Sequence, residues 1–229
     1  MTVLTDRPYL GVLWDMDGVL IDSERLVRAV FVDVMTGGGP VPDPEQRYLE
    51  TIGLNRTGLI QWFLQFVPDE TTAEFWIDQT RDGFNARAKT ELELKPGVID
   101  ALNHVRDAGL RQMVVTSTRT TMAEDKLARV GLLDYFTEVL GGDQVAQGKP
   151  HPEPYQKGCE RLGLQSHQAL AIEDSPNGVR SALAAGCAVI HVPDLIETDP
   201  DWHADLAGAL DSLADLPRWM TQQEGGHWL

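Results

Sequence analysis

Four groups of residues in this chain have types and spacing suited to phosphorus chemistry: Asp15 with Asp17, Thr116 with Ser117, Lys149, and Glu173 with Asp174. A carboxylate such as Asp15 can attack phosphorus and form an acyl phosphate. Asp17, two residues on, can lean over the same centre and give or take a proton. Thr116 offers a hydroxyl, flanked by backbone N–H groups, to a phosphoryl oxygen. Lys149 supplies positive charge to Asp15 and to the group in transfer. Glu173 and Asp174 present hard oxygens suited to Mg²⁺, which would relieve repulsion among four carboxylates.

Each group taken alone has a bland reading. An Asp-x-Asp pair is weak evidence for catalysis. Thr-Ser after a strand is usually a helix cap. Lys-Pro is usually solvated surface. Glu-Asp-Ser is often a turn, and Ser175 suits the N-cap of a helix beginning near Pro176. The strength lies in the set, because all four groups end a strand or its loop in one consistent order.

The elements that must position them follow from periodicity. Residues 9–14 are short, apolar and nearly unbroken, as a strand buried on both faces of a parallel sheet should be. Similar runs recur at 112–116, 169–172 and 188–192. Helical spacing fills 98–108, 122–130, 154–162 and 177–185. Strands alternating with such helices indicate an α/β fold, a doubly wound parallel sheet. Its ligand crevice lies beyond the carboxyl ends of the strands, where the four groups sit.

Residues 23–92 break the rhythm. Amphipathic helices are expected at 26–35, 47–51, 59–66 and 72–88, with no strand, and Gly37 to Pro42 reads as a turn between helices. The chain therefore reads as a core of residues 1–22 and 93–229, with a small all-helical cap of residues 23–92 inserted after the first strand. A short helix and a loose end are expected after Pro217.

Composition excludes other classes. The 229 residues carry 35 acidic and 19 basic side chains, a formal charge of −16. That field disfavours nucleic acid and anionic membrane as partners, though a bound cation can still bring in a small anionic substrate. No apolar run approaches the roughly 18 residues of a membrane helix. The start of the chain lacks the apolar run of a signal peptide. The two cysteines, Cys159 and Cys187, form no C-x-x-C pair and are read as reduced thiols in a cytoplasmic protein. A monomer is the default expectation.

The motifs resemble those of the haloacid dehalogenase superfamily. Asp15-Met16-Asp17-Gly18-Val19-Leu20-Ile21-Asp22-Ser23-Glu24 is similar to its first motif and Val114-Val115-Thr116-Ser117 to its second. Gly148-Lys149-Pro150-His151-Pro152 is similar to the third, and Ile172-Glu173-Asp174-Ser175-Pro176-Asn177-Gly178 to the fourth. Lys95-Pro96-Gly97-Val98 extends the likeness to the point where the chain leaves the cap. The branch it most resembles is the β-phosphoglucomutase-like sugar phosphatases with a small helical cap.

The resemblance implies a Rossmann-like core, with Asp15 as nucleophile and Asp17 as acid and base. It implies Mg²⁺ held by Asp15, the Asp17 carbonyl, Glu173 and Asp174, and phosphate held by Thr116, Ser117 and Lys149. The haloacid dehalogenases themselves lack an acidic residue where Asp17 stands, which favours phosphoryl transfer over dehalogenation. The implied substrate is a small phosphorylated metabolite, a sugar or sugar-acid phosphate. Cap closure about residues 21–23 and 93–96 would exclude water.

Gly53-Leu54-Asn55-Arg56 resembles the cap loop that meets substrate, and Arg56 suits a bidentate grip on a second anionic group. Its plainer role is a surface pair with Glu50. Trp62 and Trp76 either line the cleft or pack the cap. Two rivals remain open at this point. A β-phosphoglucomutase shares the first step, but its cap histidine would fall at Val27. A phospho-accepting receiver domain carries its acceptor Asp mid-chain, whereas Asp15 ends the first strand.

Overall fold

The computed structural model describes residues 9–52, 54, 56–194 and 204–224. Gly53 and Asn55 of the expected cap loop lie outside the described residues, as do the last five residues. The chain divides into two compact units, Met1–Ile21 with Leu94–Leu229 and Asp22–Glu93.

The second unit is helical: α1 (Ser23–Thr36), α2 (Pro44–Arg47), α3 (Arg56–Phe63) and α4 (Glu70–Arg87). The stretch expected as one helix at 47–51 is instead the end of α2 and a single 3₁₀ turn, Tyr48–Thr51. The helix expected to reach Phe66 stops at Phe63. Asp69 caps helix α4, its carboxylate accepting the Thr72 N–H at 2.8 Å, as an N-cap should. An aromatic cluster holds the unit together. Phe31 lies 5.5 Å from Tyr48, 6.2 Å from Trp62 and 6.4 Å from Phe63, ring centre to ring centre. Trp62 is buried there, donating its indole N–H to Glu50 at 3.0 Å, so it packs the cap. A cavity of about 390 Å³ opens within this unit. Val27, Phe31, Ile52, Phe63 and Phe84 are among its walls, with Glu24 and Arg81 as charged members.

The first unit is built on a six-stranded sheet in the order β3-β2-β1-β4-β5-β6, all parallel. The strands are β1 (Gly11–Trp14), β2 (Arg111–Val115), β3 (Glu138–Leu140), β4 (Ala169–Glu173), β5 (Ala188–His191) and β6 (Gly208–Ala209). Strands β3 and β6 were not visible in the periodicity, being three and two residues long. The helices are α5 (Val98–Asp107), α6 (Thr120–Arg129), α7 (Glu153–Leu162), α8 (Pro176–Ala185) and α9 (Leu216–Glu224). Helix α9 starts before Pro217, which a first helical turn tolerates.

One core cluster joins Leu13, Met113, Val115 and Ala171 of the strands to Tyr155 and Cys159 of α7 and Val179 and Ala182 of α8. It brings the two distant cysteines together as free, buried thiols, Sγ to Sγ 3.7 Å. Buried polar groups in the sheet are satisfied: Trp14 donates to Gln112 at 3.1 Å, and Gln112 donates to the Leu102 carbonyl at 3.1 Å.

Register places the site. Trp14 pairs with Val114 on one side and Ile172 on the other, so β1, β2 and β4 end at one level. Asp15 N–H bonds the Ile172 carbonyl at 3.0 Å, and Thr116 N–H bonds the Leu140 carbonyl at 3.0 Å, carrying the ladder one residue further. The chain leaves this unit after Ile21 and returns at Leu94, and those two residues pair as an antiparallel bridge.

Gly97 makes the N-terminal turn of α5 at φ +82°, and a Cβ there would meet the Ala214 nitrogen at 2.2 Å. Gly97→Ala therefore combines left-handed strain, on the order of 1–3 kcal/mol, with a backbone clash. A thermal melt should show a clear loss of stability. An unchanged melting temperature would mean that α5 is not anchored at this point.

Candidate active site

The carboxyl ends of β1, β2 and β4 place Asp15, Thr116 and Glu173 side by side, all buried. Lys149 arrives from the turn before α7. Its ammonium donates to Asp15 Oδ1 at 2.5 Å, to Glu173 Oε1 at 2.6 Å and to the Val115 carbonyl at 3.0 Å. All three ammonium protons are thereby placed. Tyr155 of α7 donates its hydroxyl to Glu173 Oε1 at 2.8 Å, and its ring lies 5.2 Å from the Lys149 nitrogen.

The other oxygen of Glu173 accepts from the Ser175 hydroxyl and from the N–H groups of Asp174 and Ser175, at 3.1 to 3.2 Å. Ser175 also caps α8 by accepting the Gly178 N–H at 3.1 Å, so one serine both starts the helix and orients the carboxylate. Gly178 cannot be larger, because a Cβ there would stand 1.8 Å from Glu173 Oε1. Asp174 completes the group. Ligand oxygens of Asp15, Glu173 and Asp174 lie within 4.8 Å of one another. Hard carboxylate oxygens at this spacing fit a divalent cation. From the far side, His191 of β5 bonds the Asp174 carbonyl at 2.8 Å.

Asp17 faces a different pair of partners. Its Oδ1 takes Lys126 of α6 at 2.9 Å and its Oδ2 takes the Thr118 hydroxyl at 2.8 Å. The Asp17 side chain is therefore not part of the three-carboxylate cluster. Thr116, behind it, accepts the Thr118 N–H at 3.1 Å. Ser117 is exposed at the same strand end. Arg56 belongs to the helical unit, where it pairs with Glu74 at 3.3 Å and Asp78 at 3.1 Å of α4. The plainer expectation of an Arg56–Glu50 pair is corrected: Glu50 is taken by Arg47 and Trp62. His151 accepts the Glu153 N–H at 3.2 Å through Nδ1 and helps start α7.

Sequence reasoning missed Lys126, Thr118 and Tyr155. Lys126 stands 109 residues from Asp17, on a helix face whose spacing carries no chemical signal. Thr118 alone was within reach, as a second hydroxyl two residues after Thr116.

The electrostatics follow from crowding. Burial raises the Asp15 carboxyl from 3.8 to about 7; Lys149 opposes this and the nearby Glu173 charge adds to it. Burial, with the charges of Asp15 and Glu173, also pushes Asp174 well above the carboxylate range. Burial works against the Lys149 ammonium, but Asp15 and Glu173 override it and hold its pKa above the ordinary value.

A raised carboxyl pKa means that the fold binds this proton more tightly than the unfolded chain does. The stability from protonated Asp15 is full below 3.8 and is lost as pH rises through about 7. In EDTA, Asp15→Asn should thus melt higher than wild type at pH 8, and the gap should close toward pH 4. Calorimetry across that range checks it; a gap of the opposite sign would show that ionised Asp15 is not strained.

Comparison with known proteins shows the family. Residues 12–192 match the family model of the haloacid dehalogenase-like hydrolases. A phosphoglycolate phosphatase from Haemophilus influenzae is 30% identical over 207 residues, covering 84% of this chain and 92% of that protein. Hexitol phosphatase A from Escherichia coli is 30% identical, covering 94% and 96%. Among solved structures, a HAD family hydrolase from Deinococcus radiodurans with bound phosphate and sodium superposes with a TM-score of 0.82 at 25% identity, covering 95% of this chain and 97% of that one. CbbY from Rhodobacter sphaeroides in complex with phosphate gives a TM-score of 0.71 at 28% identity, covering 91% and 96%. With this match across most of its length, the chain belongs to the haloacid dehalogenase-like hydrolases.

Proposed function

We propose that the protein is a Mg²⁺-dependent phosphatase for a small phosphorylated metabolite, a sugar or sugar-acid phosphate, working through an aspartyl phosphate on Asp15. The observation that carries this is the buried cluster of Asp15, Glu173 and Asp174, with Lys149 bridging the first two. Asp15, the Asp17 carbonyl, Glu173 and Asp174 would hold the ion, which when bound supplies charge neutralisation at the phosphoryl group. Thr116, Ser117 and Lys149 would hold the phosphoryl oxygens.

The chemistry runs in two balanced steps. An Asp15 oxygen attacks phosphorus as the ester P–O bond breaks, and Asp17 gives its proton to the departing alkoxide. Asp17, now ionised, then takes a proton from water as that water attacks the aspartyl phosphate, releasing phosphate and restoring Asp15. Both Asp17 oxygens are engaged by Lys126 and Thr118, so its acid role requires exchange of those partners. The same reading makes the protein a cytoplasmic monomer that does not act on nucleic acid or membrane. The net charge of −16 and the reduced thiols support it, and no helix among the described residues is long and apolar enough to cross a membrane.

A mutase must shield its aspartyl phosphate from water while an intermediate turns round. Val27, at the position of the mutase cap histidine, is an apolar wall of the cap cavity and has no side-chain hydrogen bond to offer. Net phosphate release from hexose phosphates should therefore exceed isomerisation of β-glucose 1-phosphate. Glucose 6-phosphate and free phosphate measured in one reaction decide between them.

A panel of phosphorylated metabolites scored by kcat/KM with Mg²⁺ tests the substrate class. Asp15→Asn should reduce turnover to background without unfolding the chain, since an amide cannot form the acyl phosphate; substantial turnover by an undeamidated variant would remove Asp15 from the mechanism. Activity should vanish in EDTA and return with Mg²⁺. Arg56→Ala separates a substrate grip from a surface pair: a grip predicts a higher KM for bisphosphates and sugar-acid phosphates only, a surface pair no change in KM.

A further inference from the structure

The loop after β5 carries a carboxylate that the proposed chemistry does not use. Only 9% of the Asp194 side chain is exposed. One oxygen, Oδ1, takes the Lys95 ammonium at 2.6 Å. The other, Oδ2, is buried and has no hydrogen-bond partner among the described residues. A buried carboxylate oxygen left bare is costly, and natural structures rarely tolerate one without a reason.

That oxygen has a direction. The point where a Cβ on Gly18 would lie is 2.1 Å from Asp174 Oδ2 and 3.3 Å from Asp194 Oδ2. The two oxygens thus face one spot, which a glycine at φ +89° leaves open. Asp194 nevertheless stands outside the set whose oxygens lie within 4.8 Å of one another. It is one layer too far to share an ion with Asp15, Glu173 and Asp174, and near enough to meet what such an ion carries.

The charges point the same way. Four carboxyl groups, those of Asp15, Glu173, Asp174 and Asp194, stand here with the two ammonium groups of Lys149 and Lys95. A divalent cation closes the difference.

We propose that Asp194 is a positioning residue of the cation centre: its Oδ2 accepts a hydrogen bond from a water on the ion, with Lys95 fixing the carboxylate's orientation. This rests on the cation reading of the site given above. Mn²⁺ is the probe, titrated into full-length wild type, Asp194→Asn and Asp174→Asn by paramagnetic resonance of the free ion.

Asp194→Asn should weaken Mn²⁺ binding by about 10- to 100-fold, the effect of losing an outer-layer partner. Its metal-free circular dichroism should match wild type, which a merely structural residue would not combine with lost affinity. If the Asn variant does not fold, Asp194→Ser carries the same test. Unchanged Mn²⁺ affinity in a folded Asp194 variant, while Asp174→Asn binds weakly, overturns the role of Asp194 and leaves the cation centre standing. Wild type that fails to bind Mn²⁺ overturns both.

Discussion

The fold turns on one buried cation. Lys149 places its ammonium between Asp15 and Glu173, within 2.6 Å of each, where water cannot screen their repulsion. Two like charges this close in a buried site are tenable only with a counter-charge and further donors. The structure supplies both: the Val115 carbonyl orients Lys149, and Tyr155, Ser175 and two backbone N–H groups occupy Glu173. Each donor is delivered by an element with its own reason to be there. Strand β2 ends beside β1 because the register demands it, and α8 begins at Ser175 because that serine caps it.

The single ammonium does not neutralise the cluster. The raised carboxyl groups of Asp15 and Asp174 record the excess. The protein thus accepts local destabilisation to keep three carboxyl groups pointing at one place, a common trade at functional sites. Asp17 keeps other company: Lys126 and the Thr118 hydroxyl hold its two oxygens. Two aspartates two residues apart thereby have different partners, Lys149 for Asp15 and Lys126 with Thr118 for Asp17.

The central sheet was legible in the sequence because buried parallel strands are written as continuous apolar runs. The main-site residues were legible because each ends such a run. Strands β3 and β6 were not, since two or three residues carry no period. The partners of Asp17 and the Asp194–Lys95 pair were hidden for another reason. They join positions about a hundred residues apart, through helices and loops whose own composition looks like ordinary surface. In the helical unit the periodicity located four segments but not their ends, because a 3₁₀ turn and an early stop at Phe63 follow from local packing of aromatic rings.

The bridge between Ile21 and Leu94 has an evolutionary consequence. The helical unit leaves and re-enters the sheet-bearing unit at two adjoining residues. To that unit, the intervening seventy-odd residues are topologically a single tight loop, and loop-closure entropy grows only slowly with length. Insertions, deletions or wholesale exchange there leave every strand order and register unchanged. The sheet-bearing unit can therefore keep its register while the inserted unit changes in length and sequence.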